Sequence, residues 1–223
     1  MTASLLENNV IVITGAAGRL GQRLVKAFAE AGATIVALVY KAEEAYDLPF
    51  PAEAEGWAFP VDVTDEAQVQ EVFAHIREQI GPVDAVIHTV GTWDMAPFAE
   101  TSLADWQEMI DLNLTSTFLT FREAIKVMNS GGRLIGYTSA HGADGGQAQQ
   151  GAYGAAKAGV IRLIEAIADE YADQGITAHA LAPSTIAYDG ESEGVSADDL
   201  VDLTMMVAMA PAAPLSGQVI KAY

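Results

Sequence analysis

"VIVITGAAGRLGQRLVKAF", residues 10–28, is the stretch on which the fold turns. Val10 to Ile13 is an unbroken β-branched run, too short for a helix, and reads as a buried strand. Three glycines follow, Gly15, Gly18 and Gly21, and helical periodicity then sets in over Leu20–Ala31. Glycine permits a tight turn and a close approach of backbone to ligand. The start of the helix offers unpaired N–H groups and the positive end of its dipole. Strand, glycine turn and helix in that order predict a phosphate-binding loop. The plain alternative is an ordinary glycine-rich turn. Arg19, inside the loop, faces either solvent or a phosphate.

The same alternation continues downstream. Thr34–Val39, Trp57–Val61, Val83–His88, Arg133–Thr138, Ile176–Leu181 and Gln218–Lys221 read as strands. Asp65–Ile80 reads as a helix with Val69, Val72, Phe73, Ile76 and Ile80 on one face. Ser102, with Asp105 three residues on, reads as the N-cap of a long helix. Its stripe is Ile110, Leu114, Phe118, Phe121, Ile125 and Met128, and Gly131-Gly132 is its expected end. A last helix covers about Ala197–Met209. Apolar strands alternating with helices predict a doubly wound parallel sheet, Rossmann-like, in three α/β/α layers. With no linker, repeat or low-complexity tract, residues 1–223 are expected to form one domain. Its ligand site is expected beyond the C-terminal strand ends.

Composition narrows the function. No apolar run has membrane-span length, and the first one lacks the basic start of a signal peptide. The chain has no cysteine, and its four histidines, His75, His88, His141 and His179, lie far apart. No metal site is therefore expected. The net charge of −19 argues against nucleic acid as a partner, because phosphate binding needs clustered Lys and Arg. A soluble, cytoplasmic protein is expected. The acid excess is either a solubility surface or adaptation to a salty cytoplasm, which a salt-dependent melting temperature would support.

A second stretch carries the chemistry. In "GAYGAAKAGVIRLIEAIADEY", residues 151–171, Tyr153, Lys157, Val160, Ile164, Ile167 and Tyr171 share one helical face. Lys157 thus lies on the face expected to be buried, where an unpaired charge is costly. Either it snorkels to solvent, or something large and polar approaches past the small residues around it.

The glycine loop and the Tyr153-Gly154-Ala155-Ala156-Lys157 run, in this order, resemble the short-chain dehydrogenase/reductase family across nearly the whole chain. Asp62-Val63-Thr64-Asp65 is similar to the family's adenine-contacting segment. Asn113 matches its helix asparagine, Ser139 its active-site serine, Gly91 the end of its Asn-Asn-Ala-Gly segment, and Pro183 the proline of its nicotinamide-side loop. The resemblance implies an NAD(P)-dependent oxidoreductase acting on a small carbonyl or alcohol substrate. Tyr153 would be the proton donor, with Lys157 lowering its pKa from about 10 and holding the nicotinamide ribose. Ser139 would bond the substrate oxygen, and Asn113 would hold a water behind Lys157. Gly15, Gly18, Arg19, Leu20, Gly21, Lys41, Asp62, Val63, Gly91, Lys157 and Pro183 would bind the cofactor. A homodimer or homotetramer through the 102–129 and 152–174 helices is also implied.

Four features depart from that pattern. The loop has Gly-x-x-Gly-x-x-Gly spacing, as in atypical or extended branches. The Asn-Asn-Ala-Gly segment reads His88-Thr89-Val90-Gly91, so His88 is either a strand-end residue or a cofactor contact. Ser139 stands fourteen positions before Tyr153, one more than the commonest spacing, with Thr138 a spare hydroxyl and His141 close by. The segment after Pro183, expected to form the substrate lid, is short and acidic. Trp93, Tyr188 and Met205 are either pocket or core. The second strand ends without an acid at Val39, and Arg19 and Lys41 favour NADPH over NADH; Glu43 and Glu44 count against it. Two rivals follow from these departures: a pteridine-reductase-like or epimerase-like relative, and a dinucleotide-binding regulator or scaffold without catalysis.

Overall fold

The fold is described from a computed structural model covering residues 5–210 and 215–223. Strand β1 (Val10–Thr14) leads into helix α1 (Arg19–Glu30), and β2 (Thr34–Val39) into a short 3-10 turn at Ala42–Asp47. Then come β3 (Gly56–Pro60), α2 (Glu66–Gln79) and β4 (Val83–His88). The region expected as one helix divides into α3 (Leu103–Ile110), a π-helical turn at Asp111–Thr115, and α4 (Ser116–Val127). Next are β5 (Met128–Tyr137), a short α5 (Ala140–Asp144), α6 (Gly151–Glu170) and β6 (Thr177–Pro183). The chain closes with β7 (Ile186–Ala187), β8 (Val195–Ser196), α7 (Ala197–Met209) and β9 (Val219–Ala222).

Seven strands form one sheet in the order β3-β2-β1-β4-β5-β6-β9, and every pairing in it is parallel. Strand pleating sorts β1 between two cores. Val10 and Val12 join Phe73, Ile76, Phe121 and Ile164 beneath α2, α4 and α6. Ile11 and Ile13 join Leu24, Phe28, Leu200 and Val207 beneath α1 and α7. This is the three-layer Rossmann-like arrangement. Sequence order reverses between β1 and β4, and the crevice beyond their C-terminal ends is where such sheets take ligands.

Caps set the helix starts. Asp65 accepts from the N–H groups of Ala67 and Gln68. Ser102 and Asp105 form the expected reciprocal box. The expected stripe on α3–α4 is only partly the buried face: Phe121 is fully buried and Leu114, Ile125 and Met128 pack against the core, but the buried surface extends to polar neighbours. Met109, Asn113, Ser116, Thr117, Thr120, Ala124 and Val127 are buried, while Phe118 is exposed. The buried polar groups are largely satisfied within the helix: Asn113 donates to the Met109 carbonyl, Ser116 to Leu112 and Thr117 to Asn113. Such local bonding removes most of the penalty of burying them. Nor does Gly131-Gly132 end the helix. α4 stops at Val127 and the chain enters β5 directly at Met128.

Candidate active site

A cleft of about 670 Å³ opens beyond the C-terminal ends of the strands. One end is built by the glycine loop. Gly15 has φ +63°, which favours glycine. Gly21 packs so tightly on the Gly15 carbonyl that a Cβ would collide with it and come within 2.8 Å of Ala16. Gly18 caps α1 with no side-chain acceptor, and the first turn carries no acid. The positive end of the helix is therefore left for an anionic ligand. Gly15, Gly18, Arg19, Leu20 and Gly21 all line this end.

At the other end the cleft is lined by Asn113, Ser139, Tyr153, Lys157, Gly91 and Pro183. Lys157 does not snorkel: it is 6% exposed, and its Nζ donates to the Tyr137 carbonyl at 2.9 Å. Burial lowers its pKa to about 8. It lies 5.9 Å from the centre of the Tyr153 ring. The Tyr153 phenol is pushed up by burial, and a hydrogen bond from Ser139 offsets this in part. The expected lowering by Lys157 is thus not at work here, because the ammonium is turned to a backbone carbonyl. A Cβ on Gly91 would lie 2.7 Å from the Asn113 Oδ1 and 3.1 Å from the Lys157 Nζ. This close fit leaves the floor of the cleft open, and a flat cofactor ring needs that space.

Ser139 also serves as N-cap of α5, accepting from the Gly142 N–H at 3.1 Å. That short helix lies between Ser139 and Tyr153. The spare hydroxyl, Thr138, is committed to the Lys157 carbonyl at 2.8 Å. His141 bonds Gln150 and stands edge-on to Tyr153, with ring centres 6.4 Å apart.

His88 is buried at the tip of β4, in a chain of hydrogen bonds with one consistent direction. The Thr89 N–H donates to the Thr14 hydroxyl (3.3 Å), which is 2.9 Å from the His88 Nδ1. The His88 Nε2 lies 3.2 Å from the Ser116 hydroxyl, which donates to the Leu112 carbonyl at 2.8 Å. With Ser116 committed as a donor, Nε2 carries the proton and Nδ1 accepts. Burial first, and Lys157 second, depress its pKa to about 3.

The adenosine-side candidates divide. Arg19 lies 3.7 Å above the Tyr188 ring and pairs with Glu191 at 3.0 Å. Lys41, Asp62 and Val63 do not line the cleft. Asp62 instead accepts from Thr64. Glu44, which the sequence set against NADPH, and Asp47, which it passed over, do line it. Glu44 is the reciprocal partner of Lys41 in a capping box and accepts from the Tyr40 N–H (3.1 Å) just beyond β2. Its position three residues after Lys41 was the available signal. Trp93 and Tyr188 line the cleft as well, which answers the question of pocket or core for both.

Residues 9–197 match the family model for short chain dehydrogenase. The chain is 35% identical to nodulation protein G of Azospirillum brasilense over 190 residues, covering 82% of this chain and 77% of the relative. It is 32% identical to a 3-oxoacyl-(acyl-carrier-protein) reductase of Synechocystis over 208 residues, covering 90% and 82%. Among solved structures, a short-chain dehydrogenase/reductase from Serratia marcescens superposes with a TM-score of 0.88 at 20% identity, covering 97% of this chain and 98% of that one.

Proposed function

This chain belongs to the short-chain dehydrogenase/reductase family, and on that premise we propose that it reduces a ketone- or aldehyde-like acceptor, or oxidises the corresponding alcohol, at the Tyr153 end of the cleft. As a family member it is an oxidoreductase using a nicotinamide dinucleotide. The observation carrying the finer reading is convergence. Tyr153, Ser139, Lys157 and Asn113 come from three separate elements to one end of a cleft whose other end is the glycine loop.

The bound nicotinamide would supply the hydride to the carbonyl carbon and leave oxidised. Ser139 bonds the acceptor oxygen, and Tyr153 gives that oxygen its proton, so carbonyl plus hydride plus proton yields alcohol. Burial keeps the phenol protonated and ready to donate. With a nicotinamide dinucleotide bound, Lys157 would hold the ribose hydroxyls, and its charge beside the phenol would favour release of the proton. Asn113, at the π-helical turn, connects Lys157 to solvent. One domain carries both binding and catalysis, acts in the cytoplasm, and assembles as a homodimer or homotetramer.

For the cofactor we propose NADH over NADPH. Arg19 and Lys41 are the sequence's candidates for a 2′-phosphate, but Glu191 holds the first and the second is outside the cleft. A 2′-phosphate would instead face the carboxylates of Glu44 and Asp47, which suit ribose hydroxyls. Fluorescence titration with NADH and NADPH, at low and high salt, tests binding and preference together. Tyr153→Phe should keep cofactor affinity and lose turnover. Full turnover in that variant would end the mechanism, and failure of the folded protein to bind either cofactor would favour the scaffold reading.

A further inference from the structure

Trp93 lines the acceptor end of the cleft, and two more large apolar side chains follow it on the same loop. Trp93, Met95 and Phe98 are 56%, 42% and 83% exposed, although each is large and apolar. Their loop is fastened beside the catalytic helix. The Ala96 N–H donates to the Gln149 carbonyl at 2.9 Å. Phe98 packs at Gly151, where an added Cβ would lie 3.2 Å from its ring. Gly151 begins α6, two residues before Tyr153. Trp93 itself lines the cleft together with Ser139, Tyr153 and Tyr188. An indole left largely in water along a cleft, on a loop held in place, is suited to covering a flat apolar ligand.

Charge narrows the ligand further. Among the described residues lining the cleft, the cations are Arg19 and Lys157. Arg19 is paired with Glu191, and Lys157 is buried against the Tyr137 carbonyl. Asp94 follows Trp93 directly, and exposed Glu193 stands on the strap beyond Tyr188, where Asp189 and Glu191 are paired with Arg23 and Arg19. The whole chain carries −19. An anionic acceptor would meet the chain's net negative charge on approach, with Arg19 paired and the Lys157 ammonium buried and already engaged.

We propose that the acceptor is an aromatic carbonyl compound, uncharged or cationic, that lies against Trp93 with its oxygen at Ser139 and Tyr153, and that acceptors bearing a carboxylate or phosphate are rejected. This rests on the oxidoreductase reading above and adds a substrate class to it. Trp93 is then a specificity-determining residue.

The test uses the full chain saturated with its reduced cofactor and three probes of one shape: 4-methylbenzaldehyde, 4-formylbenzoate and 4-(trimethylammonio)benzaldehyde. Binding is measured by saturation-transfer NMR, and reduction by loss of the reduced cofactor's absorbance. The neutral and ammonium probes should bind and be reduced, with kcat/KM for the carboxylate about tenfold lower at low salt. That gap should narrow about threefold or more in about 0.5 M salt. Trp93→Ala should raise KM for the neutral probe about tenfold at unchanged cofactor affinity, and Trp93→Phe should restore most of it. Equal turnover of the carboxylate, an unchanged KM in Trp93→Ala, or binding of none of the probes below about 10 mM would overturn the proposal. Selective, Trp93-dependent binding without hydride transfer would uphold the subsite and refute the oxidoreductase reading.

Discussion

Substituting His88 should alter how the fold responds to acid, by an amount that follows from where the ring sits. Neutral His88 fits its site completely: Nδ1 accepts from Thr14, and Nε2–H donates to Ser116. A second proton would need another acceptor at Nδ1 and would put a charge in a buried site near Lys157. The folded pKa is about 3, against 6.5 for an unperturbed histidine. Between those values the unfolded chain binds the proton and the folded chain does not. The contribution to stability is therefore complete above about pH 6.5 and is lost as pH falls toward 3. From pH 7 to pH 4.5 this one group should remove about 2.5 kcal/mol of unfolding free energy. Urea unfolding of the wild type and His88→Gln at both pH values measures it. The variant keeps an acceptor and a donor but nothing that titrates. Carboxylates and His179 cancel in the comparison, and Lys157 stays charged in both states across that window. Wild type should lose about 2.5 kcal/mol more than the variant. Equal losses would mean that His88 already carries the proton, or that its tip is open to water, and the bond directions assigned to it would be wrong.

Other perturbations read the cleft. Lys157 is protonated below about pH 8 in the folded chain. Its hold on the cofactor should weaken as pH rises through that value, which a pH series of NADH titrations would show and Lys157→Met would abolish. Gly91→Ala places a Cβ 2.7 Å from Asn113 Oδ1 and 3.1 Å from Lys157 Nζ. It should cut cofactor affinity about tenfold or more while the protein still unfolds cooperatively, as calorimetry can check. Glu44→Gln removes a carboxylate from the adenosine end of the cleft and should shift the NADPH-to-NADH affinity ratio about tenfold toward NADPH. An unmoved ratio in paired titrations would remove Glu44 from cofactor selection.

Strong local signals made much of the fold legible. Thr34–Val39 and Val83–His88 are buried, β-branched runs with clear stops, and they became β2 and β4 at those bounds. The last helix likewise became α7 at the expected bounds, Ala197–Met209, and the structure shows Ser196 capping it. Short, polar elements escaped. α5 spans only Ala140–Asp144 and is held by a single serine cap. β7 and β8 contribute two residues each. In the site, the glycine loop and the Tyr153–Lys157 pair were legible because their spacing is their chemistry. Glu44, Trp93 and Tyr188 were not placed, because they reach the cleft through loop geometry that no periodicity records. The direction of the Lys157 ammonium was hidden for another reason: it depends on a backbone carbonyl, Tyr137, twenty residues away.

The α3–α4 face shows how a periodicity can be real and still mislead. Ile110, Leu114, Phe118, Phe121, Ile125 and Met128 form an apolar stripe, and Phe121 is indeed in the core, yet the sheet also receives the neighbouring face, about 100° around the helix. That face carries Asn113, Ser116, Thr117 and Thr120. It can be buried because Asn113, Ser116 and Thr117 bond carbonyls one turn back, and because Ser116 also meets His88. The site thus biases the rotation: Asn113 must face Gly91 and Lys157, and the edge of the stripe at Phe118 is left outward as a consequence. Leu114 is accommodated by Gly159 of α6, where a Cβ would come within 2.8 Å of it. Phe118 is left 42% exposed, with the Arg122 guanidinium 5.1 Å from its ring. A second copy of the chain would find an apolar contact at Phe118, on the helix surface next to the face that serves the cleft. The proposed homo-oligomer and the proposed active site therefore rest on a single choice of helix face.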